Sequence, residues 1–238
     1  MPMTILNNLQ ETWELPAPPV IFFDAMGTLF GLRASVGEIY AAIAARHGIV
    51  ADPEQLNLVF GEVFAQAPPL ALGSQEAVSL TTAEEQWWRT LVTQVFAQAE
   101  IALGEEFADF FQDLYGYFAR PDPWWVYEDV IPTLQHWQQQ GVILGVLSNF
   151  DSRLLGILDS LGLSSYFTRV IVSSKYPWAK PQGQLFQAAL ACWDVEPQRV
   201  WHIGDSLQED YQGAQTAGWQ AFLIQRSATK KALPLRKS

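Results

Sequence analysis

The sequence predicts an α/β protein: a doubly wound parallel sheet, interrupted after its first strand by an all-helical insertion. Three observations predict it. Over residues 121–228, short β-rich apolar runs alternate with helical periodicities, as parallel strands joined by crossovers require. Over residues 34–120, only helical periodicities occur. A lone apolar run, VIFF at 20–23, stands ahead of them as the first strand.

Taken in order, ELPAPP closes a leader, residues 1–18, expected to be flexible because clustered prolines continue neither strand nor helix. VIFF is a buried strand. From Ser35 the period changes: Val36, Ile39, Tyr40 and Ile43 follow the spacing of an amphipathic helix, and Gly48 suits its end. Further helices are expected at about 53–66, 82–99 and 104–118. After ARPDPWW a helix at about 128–139 ends at Gly141. Then come VILGVL (142–147) as a strand, SRLLGILDSLG as a helix, RVIVSS as a strand and GQLFQAALACW as a helix. RVWHIG (strand), EDYQGAQTAG (helix) and QAFLIQ (strand) complete the pattern. The expected organisation is a core of 19–33 and 121–228, a helical segment of 34–120 and a basic tail of 229–238.

Composition narrows the function. With 14 Lys and Arg against 25 Asp and Glu, the formal charge is −11, so the surface repels phosphate backbones and nucleic acid is not an expected partner. A small phosphorylated ligand is not excluded, because a pocket can be locally positive. No stretch approaches the roughly 20 apolar residues a membrane helix needs. The first residues lack the basic-then-apolar pattern of a signal peptide. The protein is therefore expected to be soluble and cytoplasmic; its oligomeric state is left open. Cys192, the single cysteine, excludes an intrachain disulfide and is expected to be a small buried hydrophobe.

In doubly wound sheets ligands bind beyond the carboxyl ends of the strands. The polar residues found there are Asp24; Ser148 and Asn149; Lys175 or Lys180; and Asp205 with Asp210. Turn preference explains any one of them, but hardly all four segments together. Three neighbouring carboxylates need a compensating charge, and a hard divalent cation such as Mg²⁺ supplies it. Asp24 is then placed to attack phosphorus, with Lys180 and the Ser148 hydroxyl stabilising charge on the transferring group and Asp210 orienting water. The competing reading of Asp205 and Asp210 is a pair of acids complementing a helix N-terminus.

The ordered set FDAMGTLF, LSN (147–149), AKP (179–181) and GDSLQED (204–210) resembles the haloacid dehalogenase-like hydrolases. VGEIYAAIAARHG, QWW, SNFDSRLLGIL and DYQGAQTAG resemble the subgroup of haloacid dehalogenase-like hydrolase domain-containing protein 3. The resemblance implies a Rossmann-like core with a helical cap inserted after the first motif, and a small phosphorylated substrate. It implies that Asp24 is the nucleophile, that Thr28 belongs to the first motif and that Ser148 and Asn149 form the second. Lys180 would be the third-motif lysine, and Asp205 and Asp210 the acidic fourth motif. The main-chain carbonyl of Met26 would be a metal ligand beside Asp24, Asp205 and Asp210.

Two departures stand out. Phosphatases of this family carry a second aspartate where this chain has Met26, and Gln182-Gly183 replaces the usual Asp-Pro after the lysine. Without an acid at 26, proton transfer to the leaving oxygen is lost, so activated esters are favoured. A 2-haloacid dehalogenase needs no such acid, but wants a cap arginine; Arg33, Arg46 and Arg89 are the candidates. A phosphonoacetaldehyde hydrolase needs a cap lysine, and residues 31–120 contain none. A third reading is a homologue kept for binding, with little turnover. Trp87, Trp88, Trp124 and Trp125 read either as pocket lining or as core, and His47, His136 and His202 as structural.

Overall fold

The computed structural model describes residues 3–73 and 79–226. The sheet has six parallel strands: β1 (Ile5–Leu6), β2 (Val20–Phe23), β5 (Ile143–Ser148), β6 (Arg169–Val172), β7 (Val200–Gly204) and β8 (Gln220–Ile224). Their order is β1-β8-β7-β2-β5-β6, every neighbouring pair parallel. Strand order runs outward from β2 to β5 and β6, then resumes on the other side with β7 and β8. That reversal makes the carboxyl end of β2 a switch point, where a crevice opens between diverging connections. All four β2 side chains are fully buried, which is why VIFF reads as a continuous apolar run rather than an alternation.

Register fixes the site. Phe23 pairs with Val146 of β5 and with Ile203 of β7, so the three central strands end level. The Asp24 N–H extends the ladder by donating to the Ile203 carbonyl at 2.9 Å. Asp24, Ser148 and Asp205 therefore emerge on one rim.

Two short antiparallel strands, β3 (Phe30–Leu32) and β4 (Trp124–Val126), lead out of and back into the core. Between them run α1 (Val36–Arg46), α2 (Pro53–Gln66), α3 (Leu80–Gln98) and α4 (Phe107–Tyr117). Ser35 caps α1 with a reciprocal box: its hydroxyl accepts from Glu38 N at 3.2 Å, and Glu38 accepts from Ser35 N at 2.7 Å. Ile43, Leu56, Phe96 and Phe110 build a second hydrophobic cluster, separate from the one beneath the sheet. The remaining helices, α5 (Val130–Gln139), α6 (Arg153–Ser160), α7 (Gly183–Leu190) and α8 (Gly213–Thr216), cover the sheet. Among the described residues no helix is long and apolar enough to cross a membrane.

The leader departs from expectation. Instead of a flexible segment, Ile5–Leu6 adds an edge strand to β8, and a short helical turn at Leu9–Glu14 lies against α5. Leu9 and Thr12 are fully buried, and Thr12 Oγ1 accepts from the Trp137 indole at 3.2 Å. Leu9 N donates to Asp129, itself paired with Arg226 at 2.7 Å. The prolines that follow end this segment without loosening it, because its order comes from tertiary contacts. Cys192 also differs: it is exposed, beside the Arg169 guanidinium. The basic tail expected at 229–238 lies outside the described residues.

Candidate active site

Lys180 is the hub of the rim. Its ammonium, almost wholly buried, donates to Asp24 Oδ1 at 2.6 Å and to Asp210 Oδ1 at 2.5 Å. Burial alone would lower the lysine pKa, but the Asp210 and Asp24 carboxylates reverse that and hold it above its ordinary value. The Asn149 side chain sets where the lysine stands: its amide donates to Lys180 O at 2.9 Å and accepts from Lys180 N at 2.8 Å. Asn149 thus serves the lysine's backbone, and Ser148, at the end of β5, lines the cavity beside it. Lys175 is exposed on a turn, so of the two candidate lysines only Lys180 reaches the rim.

Asp210 is held from all sides. Burial opposes its ionisation, yet Lys180 and His202 overcome that and keep the carboxyl well below the usual carboxylate range. His202 Nε2 lies 2.8 Å from Oδ1, and Ser206 N donates to Oδ2 at 3.0 Å. One Asp210 oxygen caps the turn at Leu207–Gln212, as the helix-terminus reading expects, while the other binds Lys180, a contact that neither expected reading included. His202 is a site residue the sequence reading missed; it looks like a buried member of an apolar strand. Its only signal is that it stands two positions before Gly204-Asp205 on the strand that delivers Asp205.

Asp205 faces the others from across the cleft. Oxygens of Asp24, Asp205 and Asp210 lie within 4.8 Å of one another, with Asp205 the exposed member. Two glycines make this approach possible. A β-carbon on Gly27, at φ +84°, would fall 2.2 Å from Asp205 Oδ2, and one on Gly204 would fall 2.1 Å from Asp210 Cγ. Desolvation in the cleft, then the Asp24 and Asp210 charges, push Asp205 up to about 7 although it still reaches solvent. Asp24 is raised too, by burial first, with Lys180 pulling the other way.

A titration follows from this. An acid with a raised pKa binds its proton more readily in the folded state, so stability falls as pH rises from its unfolded pKa to its folded one. Between about pH 4 and pH 7, wild type is expected to lose stability relative to Asp205→Asn. Chemical denaturation of both proteins at several pH values checks this, and parallel curves would refute it.

Thr28 is not where the motif suggests. It is fully buried, its hydroxyl has no hydrogen-bond partner, and it does not line the cavity. Its contribution is the carbonyl, which accepts from Arg226 and ties the loop after β2 to the carboxyl end of β8. Met26 does line the cavity and is 45% exposed, presenting a thioether where its neighbours present oxygen.

The cavity between rim and helices has a volume of about 370 Å³. Asp24, Ser148, Asp205 and Glu209 form its floor, whereas its roof is aromatic. Trp88 and Trp124 line it; Trp87 instead donates to Pro68 O, and Trp125 packs on Tyr127. None of Arg33, Arg46 and Arg89 lines it; the arginine that does is Arg153. A buried latch fastens the roof to the loop after β5. Glu84 accepts from Ser152 N at 2.9 Å and from its hydroxyl at 2.5 Å, while Asp151 accepts from the Trp88 indole at 2.6 Å. Arg153 also pairs with Asp151 at 2.6 Å and donates to Tyr115 O at 3.0 Å.

A parallel sheet with an acid–lysine cluster at its carboxyl rim, roofed by inserted helices, is the arrangement of the haloacid dehalogenase-like (HAD) hydrolases, and the chain belongs to that family: the family model matches residues 18–218. Haloacid dehalogenase-like hydrolase domain-containing protein 3 of Bos taurus is 37% identical over 209 residues, spanning 86% of this chain and 81% of the relative. Among solved structures, an HAD phosphatase from Thermococcus onnurineus superposes with TM-score 0.59 at 22% identity, covering 89% of this chain and 88% of that one. The L-2-haloacid dehalogenase from Xanthobacter autotrophicus gives 0.63 at 19% identity, covering 86% and 76%. At these identities the structural likenesses show the fold alone.

Proposed function

We propose that this protein is a Mg²⁺-dependent phosphoryl hydrolase acting on a small phosphorylated compound, with weakened protonation of the leaving group. The observation that carries the reading is the Lys180 ammonium held 2.6 Å from Asp24, across the cleft from Asp205. Three clustered acids share one lysine, and the raised pKa of Asp205 expresses the positive charge they lack. Hard oxygen donors of this kind fit Mg²⁺. Asp24, Asp205 and the Met26 carbonyl would hold it, where it supplies Lewis-acid polarisation of a phosphoryl oxygen. With both oxygens engaged, Asp210 serves to anchor Lys180.

The chain's own groups do the rest. A carboxylate oxygen of Asp24 attacks phosphorus, and the bond to the organic oxygen breaks with its electron pair leaving on that oxygen. Lys180 and Ser148 stabilise charge on the transferring group. Water then attacks phosphorus, releasing phosphate and returning the Asp24 carboxylate. The roof keeps bulk water away while the aspartyl phosphate exists.

The test is turnover of 4-nitrophenyl phosphate with Mg²⁺ present or chelated, followed by acid quench and peptide mapping. Expected are cation-dependent phosphate release and a phosphoryl group on the peptide bearing Asp24. Label on another residue, or turnover unaffected by chelation, would overturn the reading. Met26 favours a second one, a homologue that binds phosphorylated metabolites with little turnover. Binding without phosphate release would support it.

A further inference from the structure

The floor and the roof of the cavity differ sharply in chemistry, and that contrast constrains the organic part of the substrate. Tyr40, Phe60, Phe64, Trp88, Phe111 and Phe118 dominate the roof. Burial pushes the Tyr40 phenol above its ordinary range, so it offers a neutral hydroxyl. Arg153 is the only basic residue lining the cavity among the described residues, and it is already committed. Its guanidinium makes two hydrogen bonds to Asp151 and one to Tyr115 O, and stacks 3.9 Å from the Tyr115 ring. Its positive charge is cancelled by a fully buried carboxylate. Among the described residues the acids lining the cavity are Asp24, Asp205, Glu209 and Asp210, and they would repel a second anionic group.

We infer that the substrate is a phosphomonoester of an uncharged aromatic alcohol, its ring seated among the aromatic side chains of the roof while its phosphate meets Lys180 and Ser148. The inference rests on the phosphoryl-transfer reading for the anchoring of the phosphate, and it adds the identity of the leaving group. A second carboxylate or phosphate on the ligand would be buried without a partner, which disfavours its binding. A polyhydroxylated sugar would leave hydroxyls unpaired against hydrocarbon. The volume of about 370 Å³ suits one or two fused rings. An aromatic alcohol also meets the deficiency at Met26, because an aryloxide leaves with its electron pair spread over the ring and takes its proton afterwards from water. Net, one water is consumed, and aryl alcohol and inorganic phosphate are formed.

The experiment compares 2-naphthyl phosphate, 4-carboxyphenyl phosphate and acetyl phosphate as substrates with Mg²⁺. In parallel, calorimetry measures binding of the naphthyl and carboxyphenyl phosphonates, which cannot be hydrolysed. The naphthyl compound is expected to exceed the carboxyphenyl one by at least ~100-fold, both in kcat/KM and in affinity. Phe64→Ala is expected to weaken naphthyl phosphonate binding ~10-fold; Phe64 is 47% exposed, so its truncation spares the fold. If acetyl phosphate is cleaved and the aryl compounds are neither preferred nor bound, the inference fails while the hydrolase reading stands. If the phosphonates discriminate as expected and nothing is hydrolysed, the inference stands and the hydrolase reading fails. Equal affinity for the two phosphonates overturns the inference whatever the turnover.

Discussion

Asp24→Asn is expected to reduce hydrolysis of 4-nitrophenyl phosphate by at least ~10³-fold while leaving the fold intact. The amide matches the carboxylate in size and can still accept from Lys180, but it is not a nucleophile that can form and release an acyl phosphate. Folding should not suffer. Asp24 sits in the cluster at a raised pKa, chiefly because burial disfavours its charge. Removing that charge also relieves its repulsion with Asp210 and Asp205, and Lys180 keeps Asp210 as its counter-ion. The variant is therefore expected to match or exceed wild type in thermal denaturation, as is common where a site trades stability for chemistry. Steady-state kinetics and melting curves on the same preparation check both halves. Retention of more than a tenth of the activity would remove Asp24 from the nucleophile's role.

What was legible in the sequence was what a parallel sheet dictates. VIFF reads as a strand because a central parallel strand is buried on both faces, and Asp24 follows it directly. The residues after the strands point to one rim because the central strands end level. Lys180 separates from Lys175 only in three dimensions, through the Asn149 side chain that holds its backbone. β1 escaped because a two-residue strand has no period and pairs with β8 at the far end of the chain, and the turn after it because its order comes from Asp129 and Trp137, more than a hundred residues away. The Glu84–Ser152 and Trp88–Asp151 contacts escaped for the same reason: a polar pair spanning sixty residues leaves no local pattern. His202 illustrates the converse, a titratable side chain hidden inside a run that looks purely apolar. Thr28 warns that a motif can conserve its spacing while its hydroxyl faces the interior.

Met26→Asp is expected to raise turnover of unactivated alkyl phosphates by about 10²–10⁴-fold, equivalent to about 3–5 kcal/mol of barrier. The position is suited to the change. Met26 is half-exposed on the cavity wall, two residues beyond Asp24, in a loop whose backbone is fixed by Gly27 N donating to Phe30 O at 2.8 Å. A carboxylic acid there can give a proton to the departing oxygen, which the thioether cannot. The gain should depend on the leaving group: large for alkoxides, which need the proton, and small for 4-nitrophenolate, which does not. Met26→Asn, polar and of similar size but without an acidic proton, should gain nothing. One effect opposes the benefit, because a new carboxylate adds negative charge to a cluster already short of cations, and its ionised form would need a cation to balance it. The gain should accordingly be greatest at saturating Mg²⁺. Plotting log kcat/KM against leaving-group pKa for wild type and variant makes the comparison direct: the wild-type line should be steep, and the variant's should flatten. Lines of equal slope would mean that residue 26 does not govern proton transfer, and that selectivity for activated esters has another origin.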